Sequence, residues 1–340
     1  MEFRLLTETP AHVVRPILNV DGKHLVITDS LDFRADMSTK YVCISYVWGE
    51  GRRPNPLFPQ MNISDHTLAA LNAAVCHFDG LCDGFWIDAF CVPTDRMKKA
   101  ATLASMRAIY GRAAQIAVVL TPESFAAFHD IASWDVKGAP DPPSELLDRL
   151  EKDPWIRSVW TYQEVVNGPA VTFISENKAS PAVDGLQFLN KLGHFIFELN
   201  KRRHLTPFDF RQIYPSLDAF QDLLVDWHVS PYLDRSTYQV MSCLQRRRRV
   251  EDAHYFYSMI GTIAAGPICR PLDPTVETLA DAFMTICEDK GDYSFVFASN
   301  KRDTRPGLTW RPTPGILHAV LPWSFGGELQ PGSRDSRGVL

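Results

Sequence analysis

Between Lys40 and about Ser175 the apolar positions fall into two alternating rhythms, one of period two and one of period 3.6. Tyr41–Val47 is a short β-rich run. Ser64–Phe78 carries Leu68, Leu71 and Val75 at helical spacing, with Ser64 placed as an N-cap. Phe85–Cys91 predicts a second strand, and helix returns from about Met97 to Arg112, where Leu103, Met106, Ile109 and Tyr110 form one stripe. Gln115–Leu120 is a third strand. A Pro-rich loop at Ala139–Ser144 leads into a helix over Trp155–Glu164, and Ala170–Ile174 is a fourth strand. Strands alternating with crossover helices predict an α/β fold with a parallel, doubly wound sheet and helices on both faces.

Beyond about Pro181 the pattern turns helical: Leu186–Asn200, Leu217–His228, Arg235–Arg249, Ala253–Ala264 and Val276–Lys290 all have suitable spacing. A strand at Tyr293–Ala298 and a Pro/Gly-rich segment beyond Arg305 close the chain. The expected organisation is an α/β core over 1–180, a helical region over 181–304 packed on that core, and a C-terminal segment over 305–340. No internal repeat and no low-complexity tract interrupts it.

Composition narrows the functional classes. A hydrophobic content of 45% over 340 residues supplies a sizeable core. A net charge of −5 argues against a nucleic-acid partner, whose phosphates call for an excess of Lys and Arg. The one basic run, Arg246–Arg249, is followed at once by Glu251 and Asp252, as on a solvated or salt-bridged face. Seven cysteines without a Cys-x-x-Cys pair make neither a disulfide framework nor a metal site and point to a reducing compartment. The start lacks a secretory core and no apolar run reaches membrane-spanning length, so a cytoplasmic protein without a membrane partner is expected.

Three segments place polar and aromatic residues where a core alone would not require them. In a doubly wound sheet, ligands sit at the carboxyl ends of the strands. The first strand leaves through Ser45-Tyr46-Val47-Trp48-Gly49, where glycine permits a tight turn and leaves backbone N–H groups open; the alternative is that Tyr46 and Trp48 simply plug the core. The second ends in Asp88-Ala89-Phe90-Cys91, an acid that must pair either with a buried Arg or hydroxyl or with a ligand hydroxyl. In the third, a continuous helix puts Arg157, Trp160 and Glu164 in one row, either as a pocket wall or as an Arg157–Glu164 brace over Trp160. Two helix starts compete, Asp153-Pro154 and Ser158; Glu164 lies roughly 15 Å from the first and roughly 9 Å from the second, so the later start brings it to a pocket mouth more easily.

Together these segments resemble the fungal heterokaryon-incompatibility (HET) domain family. Ile44-Ser-Tyr-Val-Trp-Gly49 is similar to its Leu-Ser-Tyr-x-Trp-Gly, and Trp86-Ile-Asp-Ala-Phe-Cys91 to its Trp-Ile-Asp-Ala-x-Cys. Met106-Arg-Ala-Ile-Tyr110 fits its Met-x-x-Ile-Tyr, and Arg157-Ser-Val-Trp-Thr-Tyr-Gln-Glu164 resembles its Arg-x-Trp-Thr-x-Gln-Glu. Arg249–Gly261 is a looser match to the segment that follows. Pro93-Thr94 stand where the family has Asn-Gln, and Lys98-Lys99 and Thr102 replace Glu-Arg and Gln, so amide donors and a carboxylate are lost beside the expected pocket.

The resemblance implies a TIR/flavodoxin-like fold and a role in non-self recognition ending in programmed cell death. TIR domains that hydrolyse NAD use a glutamate four residues after a tryptophan, the spacing of Trp160 and Glu164. It therefore implies Glu164 as the catalytic carboxylate of a candidate NAD-type glycohydrolase. Ser45, Tyr46, Trp48, Gly49, Asp88, Cys91, Arg157, Trp160 and Gln163 would bind the substrate. No cofactor is expected, NAD being a substrate; the partners expected are a small-molecule or nucleotide ligand and, in a non-catalytic signalling alternative, further copies of the chain. A third expectation is a stand-alone pocket enzyme of fungal secondary metabolism on the same scaffold.

Overall fold

A computed structural model of the chain describes residues 3–9, 17–31, 38–135, 142–224, 227, 235–264 and 275–320. Residues 139–141 of the Pro-rich loop, most of the end of the expected Leu217–His228 helix and residues 321–340 of the C-terminal segment lie outside them.

The chain opens with β1 (Leu6–Glu8), β2 (Leu18–Val20) and β3 (Lys23–Ile27), then β4 (Tyr41–Tyr46) and the hairpin β5 (Arg52–Pro54) and β6 (Asn62–Ser64). Next come α1 (Asp65–His77), β7 (Gly84–Trp86), α2 (Asp88–Cys91), α3 (Arg96–Ala104), α4 (Met106–Arg112) and β8 (Gln115–Leu120). After these follow α5 (Pro122–Ser133), α6 (Ser144–Lys152), α7 (Pro154–Arg157), α8 (Val159–Val166), β9 (Val171–Ser175) and β10 (Val183–Asp184). The helical half comprises α9 (Gly185–Arg203), α10 (Pro207–Ile213), α11 (Pro215–Leu224), α12 (Thr237–Gln245), α13 (Asp252–Ile263) and α14 (Val276–Asp289).

Eight strands form one sheet in the order β10-β9-β8-β4-β7-β1-β3-β2. Its middle, β9-β8-β4-β7, is parallel, with Ser45 opposite Val118 and Cys43 opposite Trp86; both edges are antiparallel. The sheet is thus mixed, because three short N-terminal strands that carry almost no periodic signal extend it beyond β7. In chain order the parallel strands step from β4 to one side and then back across it, so α1 covers one face and α4 the other, as right-handed crossovers require. All of β4 is buried, with Tyr41 and Cys43 facing one core and Val42, Ile44 and Tyr46 the other. The first core continues through α5, α9 and α11–α14, so the helical half shares the sheet's core.

Four expected elements differ. The predicted strand Phe85–Cys91 stops at Trp86 and turns into α2, whose first residue is Asp88; an acid suits a helix's first turn better than the middle of a buried strand. The expected Met97–Arg112 helix is broken at Ser105, whose hydroxyl donates to the carbonyl of Ala101. Tyr293–Ala298 contains a 3₁₀ turn at Ser294–Phe297 and no strand. Trp155–Glu164 is two helices, because both competing caps are used: Asp153 accepts from the N–H of Ile156 at 2.8 Å and Ser158 from that of Trp160 at 3.2 Å.

The basic run is structural. Arg246 pairs with Asp218 and Asp222, Arg249 pairs with Asp252 at 2.8 Å, and Arg247 is buried. Among the described residues no helix is long and apolar enough to cross a membrane.

Candidate functional site

Where the strand order reverses, the carboxyl end of β4 occupies the place at which doubly wound sheets take their ligands. Ser45 points to one face of β4 and Tyr46 to the other, so the strand end feeds two polar groups.

The first is centred on Glu164, brought over β4 by α8. The hydroxyl of Ser45 donates to Oε2 of Glu164 at 2.5 Å and accepts from the indole Nε1 of Trp155 at 2.8 Å. The hydroxyl of Tyr110, on α4, donates to the same carboxyl. Trp155 and Tyr110 are buried, whereas Glu164 keeps part of its surface open. Burial dominates and raises the acid to about 8, helped by the nearby charge of Asp88 and opposed by the hydrogen bonds from Ser45 and Tyr110. It therefore holds its proton at neutral pH while the donors that favour ionisation are already in place.

The second group is centred on Asp88, which accepts from the indole of Trp48 at 2.9 Å, the hydroxyl of Tyr46 at 3.1 Å and the N–H of Ala89 at 2.7 Å. Burial raises this acid as well, against those hydrogen bonds and the charge of Lys99. Trp48 is 37% exposed, which leaves an indole at the rim. Lys99 on α3 places a cation near the acid.

The turn after β4 is held from α1. Gly49 has φ +59°, and a Cβ there would lie 2.7 Å from Cδ2 of His66, whose Nδ1 is fixed 2.7 Å from Glu176 at the end of β9. Arg52 closes the turn by donating to the carbonyls of Trp48, Gly49 and Gly51 at 3.3, 2.9 and 2.8 Å, and it lies 5.5 Å over the Trp48 ring. Gly49→Ala should therefore destabilise the fold by about 1–2 kcal/mol from the left-handed backbone alone. A thermal melt checks it; an unchanged melting temperature would show that the turn relaxes freely.

Of the residues singled out in the sequence, Ser45, Tyr46, Trp48, Gly49, Asp88 and Glu164 are gathered around the carboxyl end of β4. The other four lie elsewhere. Cys91 is buried with its thiol toward the carbonyl of Phe85 at 3.8 Å, and burial raises it to about 12. Gln163 is buried against Gly261, where a Cβ would come within 1.7 Å of its Oε1. Trp160 packs 5.1 Å from His254 and 6.4 Å from Tyr257 on α13. Arg157 is half-buried, and among the described residues it forms no ion pair with Glu164.

The break at Ser158 removes the straight Arg157–Trp160–Glu164 row, and with it the brace. Tyr110 and Trp155 are the direct partners that sequence reasoning passed over, since each stood in an apolar stripe or run where an aromatic side chain is ordinarily core. Among the described residues no three His, Cys, Asp or Glu gather as metal ligands.

Comparison with known proteins adds one match. Residues 41–164, from the first residue of β4 to Glu164, match the family model described as Heterokaryon incompatibility protein (HET). No curated protein and no solved structure matches the chain.

Proposed function

From a chain whose residues 41–164 form a heterokaryon-incompatibility (HET) domain, we propose an N-glycoside hydrolase that acts on a nicotinamide dinucleotide of the NAD type, with Glu164 as its carboxylate. The family match supports involvement in heterokaryon incompatibility. In this reading the carboxyl end of β4 borders a TIR-like nucleotide pocket, and consumption of the dinucleotide is the route to cell death. The observation that carries the reading is a half-buried glutamate whose carboxyl is oriented by two hydroxyls at the switch point of a doubly wound sheet.

Hydrolysis breaks the bond between ribose C1′ and the pyridinium nitrogen. Nicotinamide leaves as a neutral molecule with the bonding electron pair, water adds its hydroxyl to C1′, and one proton is released. The leaving group needs no proton, so a general acid is superfluous; what is required is negative charge beside the developing ribosyl cation. Ionised Glu164, held by Ser45 and Tyr110, supplies it, and a cationic pyridinium bound beside it offsets the burial that otherwise keeps the acid protonated. Asp88, Tyr46 and Trp48 offer an acceptor and an indole to the rest of the substrate.

Purified protein incubated with NAD across pH 5 to 9 tests this. Because kcat/KM reports the free enzyme, it should rise about tenfold per pH unit on the acid side and level near pH 8, the ionisation of Glu164. Tyr110→Phe removes a donor to the ionised form and should move that midpoint upward. An absence of nicotinamide release at every pH, or a flat profile, would remove the reading.

A further inference from the structure

The matched span ends at Glu164, yet the segments that hold α8 in place come from beyond residue 240. We infer that Arg247 is a positioning residue for Glu164: it holds the break between α7 and α8 and thereby fixes the rotation of α8. The inference rests on the assignment of Glu164 as the reacting carboxylate.

Arg247 is only 3% exposed. Its Nη1 donates to the carbonyl of Ile156 at 2.9 Å, to that of Ser158 at 3.2 Å and to the hydroxyl of Thr161 at 3.4 Å. Its guanidinium lies 5.6 Å over the ring of Tyr162. The neighbouring backbone completes the stitch: the N–H of Arg248 donates to the carbonyl of Arg157 at 2.5 Å, and its carbonyl accepts from Val159 at 3.1 Å. These bonds capture carbonyls that a continuous helix would have used itself, which is why the chain stops at Arg157 and restarts at Ser158.

As a stabiliser, this arginine is a poor choice. Among the described residues it has no carboxylate partner, and its Nε and Nη2 make no hydrogen bond. A buried cation so incompletely satisfied is ordinarily destabilising relative to an apolar side chain of similar volume. What it does provide is register. A restart one residue earlier or later would turn every α8 side chain by about 100° and slide it about 1.5 Å. Glu164, five positions after Val159, would then lose the hydroxyls of Ser45 and Tyr110.

Two further contacts from α13 act in the same direction. The hydroxyl of Ser258 donates to the carbonyl of Val159 at 2.5 Å, and Gly261 is pressed against Gln163, the residue before Glu164. The helical half thus sets the placement of an acid that belongs to the α/β half.

The test compares wild type, Arg247→Met, Arg247→Lys, Gly261→Ala and the pair Gly261→Ala/Gln163→Ala. Two readouts are used: nicotinamide release from NAD, and the ionisation midpoint of Glu164 followed by carbon-13 NMR of labelled carboxyls. The titratable groups that act on or respond to that carboxyl are Asp88 on α2, Tyr110 on α4, and Cys43 and Tyr46 on β4, and none of them is altered.

Arg247→Met should fold, lower kcat by about tenfold to a hundredfold with a much smaller change in KM, and shift the Glu164 midpoint upward. Lysine should recover part of both. Gly261→Ala, which changes no charge, should produce the same shift, and Gln163→Ala should reverse it by making room.

A folded Arg247→Met with the wild-type midpoint overturns the proposal. If that variant does not fold, a wild-type midpoint in Gly261→Ala does so instead. Absence of nicotinamide release from wild type counts against the proposed activity only, because the NMR arm still decides whether Arg247 positions Glu164.

Discussion

Glu164→Gln should lower nicotinamide release by about a thousandfold, the scale set by losing a positioned carboxylate, and should make the protein more stable above neutral pH. The two effects have one origin. The folded carboxyl keeps its proton up to about pH 8, whereas an unfolded glutamate loses it near 4.5. Between those values the native state binds more protons than the unfolded state, so the stability contributed by neutral Glu164 declines as pH rises through that window. Glutamine carries no such proton. The variant's advantage should therefore be absent at pH 4, grow across the window and be complete above pH 8. At about 1.4 kcal/mol for each pH unit that the window spans, its ceiling is a few kcal/mol. Melts of both proteins at pH 4 and pH 8.5 check it: equal differences at the two values would mean that Glu164 is ionised in the fold throughout, and a fully active glutamine variant would leave the site without its carboxylate.

Trp155→Ala should be the most damaging single change to the fold, at about 3–5 kcal/mol, because it empties a site at the heart of the core. The indole is fully buried and meets Phe173 and Phe220 edge-on at 5.7 and 5.9 Å. It also donates to Ser45, which in turn donates to Glu164. Trp155→Phe separates the two roles: most of the packing survives, but Ser45 loses its donor and becomes free to turn. Denaturant unfolding should show the alanine variant losing several-fold more stability than the phenylalanine variant. The latter should still raise the pH at which kcat/KM levels off. Equal stability losses would assign the energy of Trp155 to its hydrogen bond, and an unmoved pH profile would detach it from the carboxylate.

Much of the site was legible because its residues break a local pattern. Ser45 and Asp88 stand at the ends of short apolar runs, and Glu164 lies in a segment whose tryptophan and acid spacing carries the family signature. Their gathering around one strand end follows from the strand order, since β4 lies where the crossovers reverse. Tyr110 and Trp155 escaped notice for the opposite reason. An aromatic side chain in an apolar stripe is indistinguishable from core until its polar atom is seen to aim at a site residue, Tyr110 at Glu164 and Trp155 at Ser45. Cys91, Trp160 and Gln163 lie in the same short segments as site residues, yet one turn of helix is enough to send them to α13 or to the interior.

Alternation of apolar spacing determined the parallel heart of the sheet, the crossover helix α1 and most of the helical half, because periods of two and 3.6 are local properties of the chain; α5, α6 and α10 were not predicted from it. The three N-terminal strands, each of three to five residues, are too short to carry such a period; β1 pairs with the open edge of β7, and β3 and β2 follow it. Both caps of the third motif, Asp153 and Ser158, were visible as alternatives, but local energetics could not choose between one helix and two. That choice was made by Arg247 and Arg248, some ninety residues later, whose hydrogen bonds to Ile156, Arg157 and Ser158 exist only once the chain has folded back. A contact between distant segments has no period and no spacing, which is why the carboxylate's identity is written in the sequence and its orientation is not.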